Sequence, residues 1–280
     1  MTVDLGVIEA SPAVDVTNLR LVVAYRGTTF HGFVAQPGVP SVGGLLTDVV
    51  SRALRVPPIE LVVAGRTDRG VHAWGQVVSF TVPTAALHTV GSLEDGLERL
   101  QRVVNKVLDP EIVVRSIEVV DPGFDARYSA TARLYRYTVV NRPWPDPFLT
   151  DVAWHVAPPL DRASMTLACD PLIGLHDFSS FCRRPKRSDG AEVPLHRRIH
   201  SIRWEEGEDG VLSCWIEAKA FCHQMVRSIV GTLVEVGRGK KKAGEIMGII
   251  EARDRRAAGD LAPPHGLCLW SVRYPDDDDR

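Results

Sequence analysis

The segment Ala64-Gly65-Arg66-Thr67-Asp68-Arg69-Gly70-Val71-His72-Ala73 sets one carboxylate between two guanidinium groups and two glycines. A nearby cation favours the ionised carboxylate, so Asp68 is a candidate nucleophile or general base. The same residue types also make an ordinary solvated turn for purely local reasons. Taken alone, the turn is the more economical reading. Three further polar features sit in apolar surroundings. Arg227 lies among Met225, Val226, Ile229 and Val230, where a buried guanidinium is costly without an anion. On an amphipathic helix it is equally a side chain whose stem packs while its head reaches water. Tyr135 stands on a strand with Arg133, after Arg127, and is either a core tyrosine with a satisfied hydroxyl or a site residue. His176-Asp177 reads as a turn or a helix-terminal pair.

These residues need elements to hold them. Leu19 to Tyr25 is a buried-looking strand, and Ser41 can cap a helix running to about Leu54. Val42, Leu45, Leu46, Val49, Val50 and Leu54 form its inner face, although Gly43-Gly44 weakens its first turn. A strand at Ile59–Val63 enters the loop. The outgoing strand puts Trp74, Gln76, Val78, Phe80 and Val82 on a bulky face, with smaller residues opposite. Ser92 caps a second helix through Leu93, Leu97, Leu100, Val103, Val104 and Val107, and Glu111 to Val120 is a strand. This β-α-β-β-α-β order is the split-βαβ plan, also found in RNA-binding modules.

Asp121-Pro122-Gly123 marks a domain boundary, giving a flexible tail at 1–16, an α+β domain at 17–123, a second at 124–275 and an acidic tail at 276–280. The second half carries a strand at Arg133–Val140, with Tyr135, Tyr137 and Val139 on one face and Leu134, Arg136 and Thr138 on the other. Val152–Val156 is extended, Asp161 caps a helix to about Ala168, and strands follow at Ile199–Glu205 and Val211–Ala218. A helix over Phe221–Val236 carries Met225, Ile229, Leu233 and Val236 on one stripe. A helix from Ala243 to about Arg253 and a strand at Leu267–Arg273 complete the half.

The composition, 45% apolar and 24% charged over 280 residues, is that of a soluble globular protein. No signal peptide or membrane-spanning run is evident. Five scattered cysteines, odd in number and without a C-x-x-C pair, argue against a disulfide framework or a common zinc site and point to a reducing cytoplasm. Net charge is −2, but the distribution is uneven: seven Lys/Arg stand between Arg183 and Arg203 against Asp189 and Glu192, and Arg238 to Lys242 adds a second basic cluster. A local basic face suits a phosphate-rich partner; a solvated basic loop is the alternative.

Gly65-Arg-Thr-Asp-Arg-Gly-Val-His72 resembles the active-site motif of the bacterial tRNA pseudouridine synthase A family. Four further stretches are similar to the family's other motifs, in order. They are Phe124-x-Ala-Arg127-x-x-Ala-x-x-Arg133-x-Tyr135-x-Tyr137, His176-Asp-Phe-x-Ser-Phe181, Phe221-x-x-Gln-Met-Val-Arg227-x-Ile-Val-Gly231 and His265-Gly-Leu267. The resemblance implies the pseudouridine synthase fold: α+β, with two ferredoxin-like (RRM-like) halves forming a mixed, largely antiparallel sheet with a central cleft. It implies isomerisation of uridine to pseudouridine at positions 38–40 of the tRNA anticodon stem-loop, by a homodimer, without cofactor or metal. Asp68 carries over as the essential catalytic residue and Arg227 as its salt-bridge partner. Arg66 would fill the space left by the flipped base and contact phosphates. Tyr135 would lie against the uracil and serve as a base at C5, and Leu267 would line the uracil pocket. Attack of Asp68 at ribose C1′, addition to the uracil ring and removal of a ribose proton all begin from an ionised carboxylate. The family's usual Tyr-Asp-Gly is here Tyr25-Arg26-Gly27, a frequent Trp is Phe33, and a usual Gln is Gly43. Two alternatives accompany this expectation: a synthase for another RNA, or a catalytically silent tRNA-binding protein.

Overall fold

The computed structural model describes residues 15–89, 91, 93–184 and 194–275. In strand β1 (Val16–Tyr25), Leu19, Leu21, Val23 and Tyr25 alternate with less buried neighbours, so one face is committed to the core. Helix α1 (Val42–Leu54) begins at Ser41, whose hydroxyl accepts from the Gly44 amide, a cap worth about 1 kcal/mol. Its buried stripe is Val42, Leu46, Val49, Val50 and Leu54. Leu45, expected inside, is exposed. The expected Ile59–Val63 strand pairs only as β2 (Val62–Val63), because Ile59 turns in to be buried while its amide donates to Ser51 Oγ.

Strand β3 (His72–Pro83) is buried on both faces over most of its length, so the expected division into bulky and small faces does not decide burial. Trp74, placed on the bulky inner face, is exposed. A register shift between β1 and β3 next to Ala73 turns it outward. A short helix α2 (Thr84–His88) precedes α3 (Leu93–Leu108), where Leu100, Val104 and Leu108 are buried. Val103 and Val107, expected inside, are exposed, since the stripe is rotated toward Leu108. The proposed Ser92 cap lies outside the described residues, as do the 1–14 and 276–280 tails and residues 185–193 of the basic loop. Strand β4 (Ile112–Val120) closes the half in the order β4-β1-β3, with β2 also on β3.

The second half contributes β5 (Ala132–Val140), β6 (Trp154–His155), α4 (Arg162–Leu167), β7 (Gly174–Asp177), β8 (His196–Glu206), β9 (Val211–Ala218), α5 (Met225–Gly237), α6 (Ile246–Ala252) and β10 (Leu267–Arg273). Asp161 caps α4 through Ser164. His176-Asp177 ends a strand rather than making a turn, and Asp177 accepts from the amide and hydroxyl of Ser179. Among the described residues, the fold is α+β around a mixed sheet of ten strands, eight of them ordered β4-β1-β3-β10-β5-β9-β8-β7, with β2 also on β3 and β6 on β5. β10 joins the halves: Cys268 and Leu269 run parallel to His72 and Ala73 of β3, and the same strand runs antiparallel to β5. The last strand therefore lies beside the loop that precedes β3. Among the described residues, no helix is long and apolar enough to cross a membrane.

Candidate functional site

Both edges of the Gly65–Val71 loop are pinned by buried polar groups. The Gln76 side chain is fully buried; its Nε2 donates to the Gly65 carbonyl at 2.7 Å and to Tyr25 Oη at 3.3 Å, while its Oε1 accepts from the Gly65 amide at 3.4 Å. Tyr25 Oη also bonds Thr67 Oγ1 at 2.7 Å, and the Phe33 amide donates to the Thr67 carbonyl at 3.1 Å. Thr67 is thus held from both side chain and backbone, next to Asp68. Of the two glycines, only Gly70 uses a left-handed backbone, at φ +78°. Gly65 lies beside the Tyr135 hydroxyl, which would stand in ordinary van der Waals contact, 3.7 Å, with a Cβ placed there. His72 closes the loop: its Nδ1 accepts from the Gly27 amide and its Nε2 donates to the His265 carbonyl, each at 3.0 Å. Burial pushes this imidazole below its usual range, which suits one accepting nitrogen.

A cavity of 860 Å³ opens beside the loop. Asp68, Arg66, Tyr135, Arg227 and Leu267 all line it, although they come from four separate stretches of chain. Arg66 is exposed at the rim, whereas Tyr135 and Leu267 are buried. Tyr135 packs edge-on against Phe221, with ring centroids 5.1 Å apart. Burial, and then the Tyr25 and Asp68 charges, push its phenol well above the usual range, so it is held protonated at neutral pH. Five arginines (Arg66, Arg127, Arg133, Arg197 and Arg227) line the cavity against Asp68 and Asp125, a balance that favours anions. Arg197 Nε is buried with no hydrogen-bond partner among the described residues.

Helix α5 starts four residues later than its apolar pattern suggests. Gln224 adopts a left-handed conformation, φ 65°, so Phe221–Gln224 form a lead-in that lines the cavity. Arg227 lies in the first turn. Its Nε donates to the Ala262 carbonyl at 2.7 Å, and the Ala262 amide donates to the Arg227 carbonyl at 3.2 Å. Burial lowers its affinity for the proton and the Asp68 charge restores part of it. The direct ion pair expected between Arg227 and Asp68 is absent: Asp68 Oδ1 meets His223 Nε2 at 3.2 Å, while Arg227 acts on Asp68 at longer range.

Sequence reasoning assigned no role to three contributors. Arg133 is buried and donates to the carbonyls of Ala64 (2.9 Å from Nη2), Arg127 (2.6 Å) and Lys219 (2.6 Å). One guanidinium thereby ties together the starts of the Asp68 loop, the 127–130 segment and the Phe221 lead-in. A long charged side chain on an apolar strand face was the available signal. Gln76 gave a similar one. His223 had none, because its partner is 155 residues away. Cys182 and Cys222, far apart in sequence, lie side by side with Cα atoms 5.9 Å apart; wide sequence spacing does not prevent spatial proximity.

The tRNA pseudouridine synthase sequence profile matches residues 168–275. The tRNA pseudouridine synthase A of Frankia casuarinae is 40% identical over 262 residues, covering 92% of this chain and 90% of that protein. That of Bacillus subtilis is 39% identical over 261 residues, 91% of this chain and 98% of the relative. That of Gluconobacter oxydans is 37% identical over 278 residues, 96% and 94%.

Proposed function

We infer from this site, in a chain that belongs to the tRNA pseudouridine synthase A family, that the protein isomerises uridine to pseudouridine in tRNA, at positions 38–40 of the anticodon stem-loop. The observation that carries this reading is the meeting of Asp68, Tyr135, Arg227, Arg66 and Leu267 on one arginine-rich cavity. The reaction breaks the bond from ribose C1′ to uracil N1, turns the base, joins C1′ to C5, releases the C5 hydrogen as a proton and places a proton on N1, so that no net proton is gained or lost. Asp68 is the catalytic carboxylate, set in the positive field of a cavity lined by five arginines, and acts on the sugar–base unit as charge develops there. Arg227 supplies part of that positive field. The target base must leave its stack to reach the cavity. Arg66, exposed at the rim, fills the vacated space and meets phosphate. Tyr135 lies against the uracil; as its phenol is held protonated, it can take the C5 proton only while passing on its own. Leu267 lines the apolar side of the base pocket.

Arg127 and Arg197 extend the positive lining and suit the RNA backbone, with affinity falling as salt rises. The second basic cluster, Arg238 to Lys242, follows the opposite end of α5 from Arg227, so it serves a more distant part of the RNA. The protein works in the cytoplasm as two domains, 17–123 and 124–275, and as a homodimer whose subunits jointly bind one tRNA. The test is to map pseudouridine in tRNA from cells lacking the protein, complemented with wild-type or Asp68→Ala chains. Loss at 38–40 that only wild type restores supports the reading. Unchanged modification there, or rescue by Asp68→Ala, overturns it.

A further inference from the structure

We infer that His223 is a positioning residue for the isomerisation, holding Asp68 by Oδ1 so that Oδ2 is presented to the substrate. The inference rests on the role given to Asp68 above. Nε2 of His223 lies 3.2 Å from Oδ1, and Oδ2 carries no hydrogen bond among the described residues. A contact at one oxygen restricts the orientations open to the carboxylate, as a group acting on a developing cation requires.

The backbone that carries His223 is itself fixed. Cys222 packs against Cys182, with Cα atoms 5.9 Å apart, and the Arg183 amide donates to the His223 carbonyl at 3.0 Å. Gln224 turns through the left-handed region, its carbonyl accepts from the Ser228 amide at 3.0 Å, and α5 begins at once. The imidazole therefore projects into the cavity from a short, pinned strap rather than from a free loop. Among the described residues no lysine or arginine forms an ion pair with Asp68, and Arg227 Nε donates to the Ala262 carbonyl.

Stability does not explain the pair. The His223 side chain is 43% exposed and that of Asp68 33%. Ion pairs this open contribute little to folding. When a flipped nucleotide fills the cavity and displaces water, the same contact strengthens and constrains the reacting carboxylate. Its consequence therefore falls on turnover rather than on folding or RNA binding.

The experiment compares wild type with His223→Ala, His223→Asn and His223→Gln, using full-length chains, a tRNA transcript and steady-state turnover at one pH. Gln places its amide nitrogen about where Nε2 lies; Asn stops short. The Ala and Asn variants should lose about 10- to 100-fold in kcat with KM within about twofold of wild type, and Gln should recover to within about threefold. A kcat within twofold of wild type for Ala and Asn, a loss confined to KM, or a Gln variant no better than Asn would overturn the inference. Should the Ala variant melt early, the Asn and Gln variants, equal in polarity, decide alone. An Asp68→Ala control run beside them separates the two claims: retained turnover there refutes the role of Asp68, whatever His223 does.

Discussion

Replacing Arg133 by Met should both destabilise the protein and slow turnover. The substitution keeps most of the apolar stem and removes the guanidinium. Three short bonds disappear, to Lys219 and Arg127 at 2.6 Å and to Ala64 at 2.9 Å. Bonds from a charged donor contribute about 1.5–3 kcal/mol each, so the gross loss is roughly 5–9 kcal/mol. Part is returned, because a guanidinium buried against carbonyls alone carries a desolvation cost of several kcal/mol, visible in its lowered affinity for the proton. The net destabilisation should be about 3 kcal/mol, a fall of roughly 6–10 °C in melting temperature. Because the three carbonyls lead into the segments carrying Asp68, Arg127 and Phe221, single-turnover rates should fall further than the lost stability accounts for at 25 °C. Arg133→Lys, which can reach only one or two of the carbonyls, should fall between. Thermal melting and urea unfolding measure the first effect, and rapid-quench turnover with excess enzyme the second. An Arg133→Met chain within about 1 kcal/mol of wild type, with normal single-turnover rates, would refute the claim that one side chain ties the cavity walls together.

Gln76→Leu should cost about 1–3 kcal/mol, because the Gly65 carbonyl would be buried without its donor; a lowered urea midpoint and a reduced kcat with little change in tRNA affinity are the expected readouts. His72 gives the protein an acid limit. Its proton affinity is lowered by burial in the folded state, so the unfolded chain binds the proton first as pH falls below about 6.5. Its contribution to stability is intact above that pH and lost below it, by at most about 1.4 kcal/mol per pH unit. Urea unfolding at pH 7.5 and 5.5 should show this decline in wild type and a smaller one in His72→Gln; equal slopes would contradict it.

Much of the site was legible because its chemistry recurs at fixed spacing. The Gly65–His72 motif, the Arg133-x-Tyr135 pair and the helix bearing Arg227 each name residues that meet at the cavity. The elements were also clear where periodicity and caps agree, as at Ser41 for α1, Asp161 for α4 and the β10 strand. What local sequence could not show depends on topology. β10 enters between β3 and β5, and only that insertion sets the stretch from His265 to Leu267 beside the Asp68 loop. The exchange of Arg227 for His223 as the direct partner of Asp68 follows from Gln224, whose left-handed backbone ends the lead-in and frees His223 from the helix. Trp74 and Val107 were misplaced for a simpler reason: alternation and helical period assign a face but do not detect a register shift or a rotated stripe.

The central claim is that Asp68 is the carboxylate on which isomerisation depends. Joining C1′ to C5 expels the hydrogen at C5, so tritium release from tRNA labelled at uridine C5 follows the reaction directly. Wild-type protein should release tritium in proportion to pseudouridine formed, while Asp68→Asn, of the same size and still able to bond His223, should bind the tRNA and release none above background. Tritium release by Asp68→Asn at a rate near that of wild type would contradict the account.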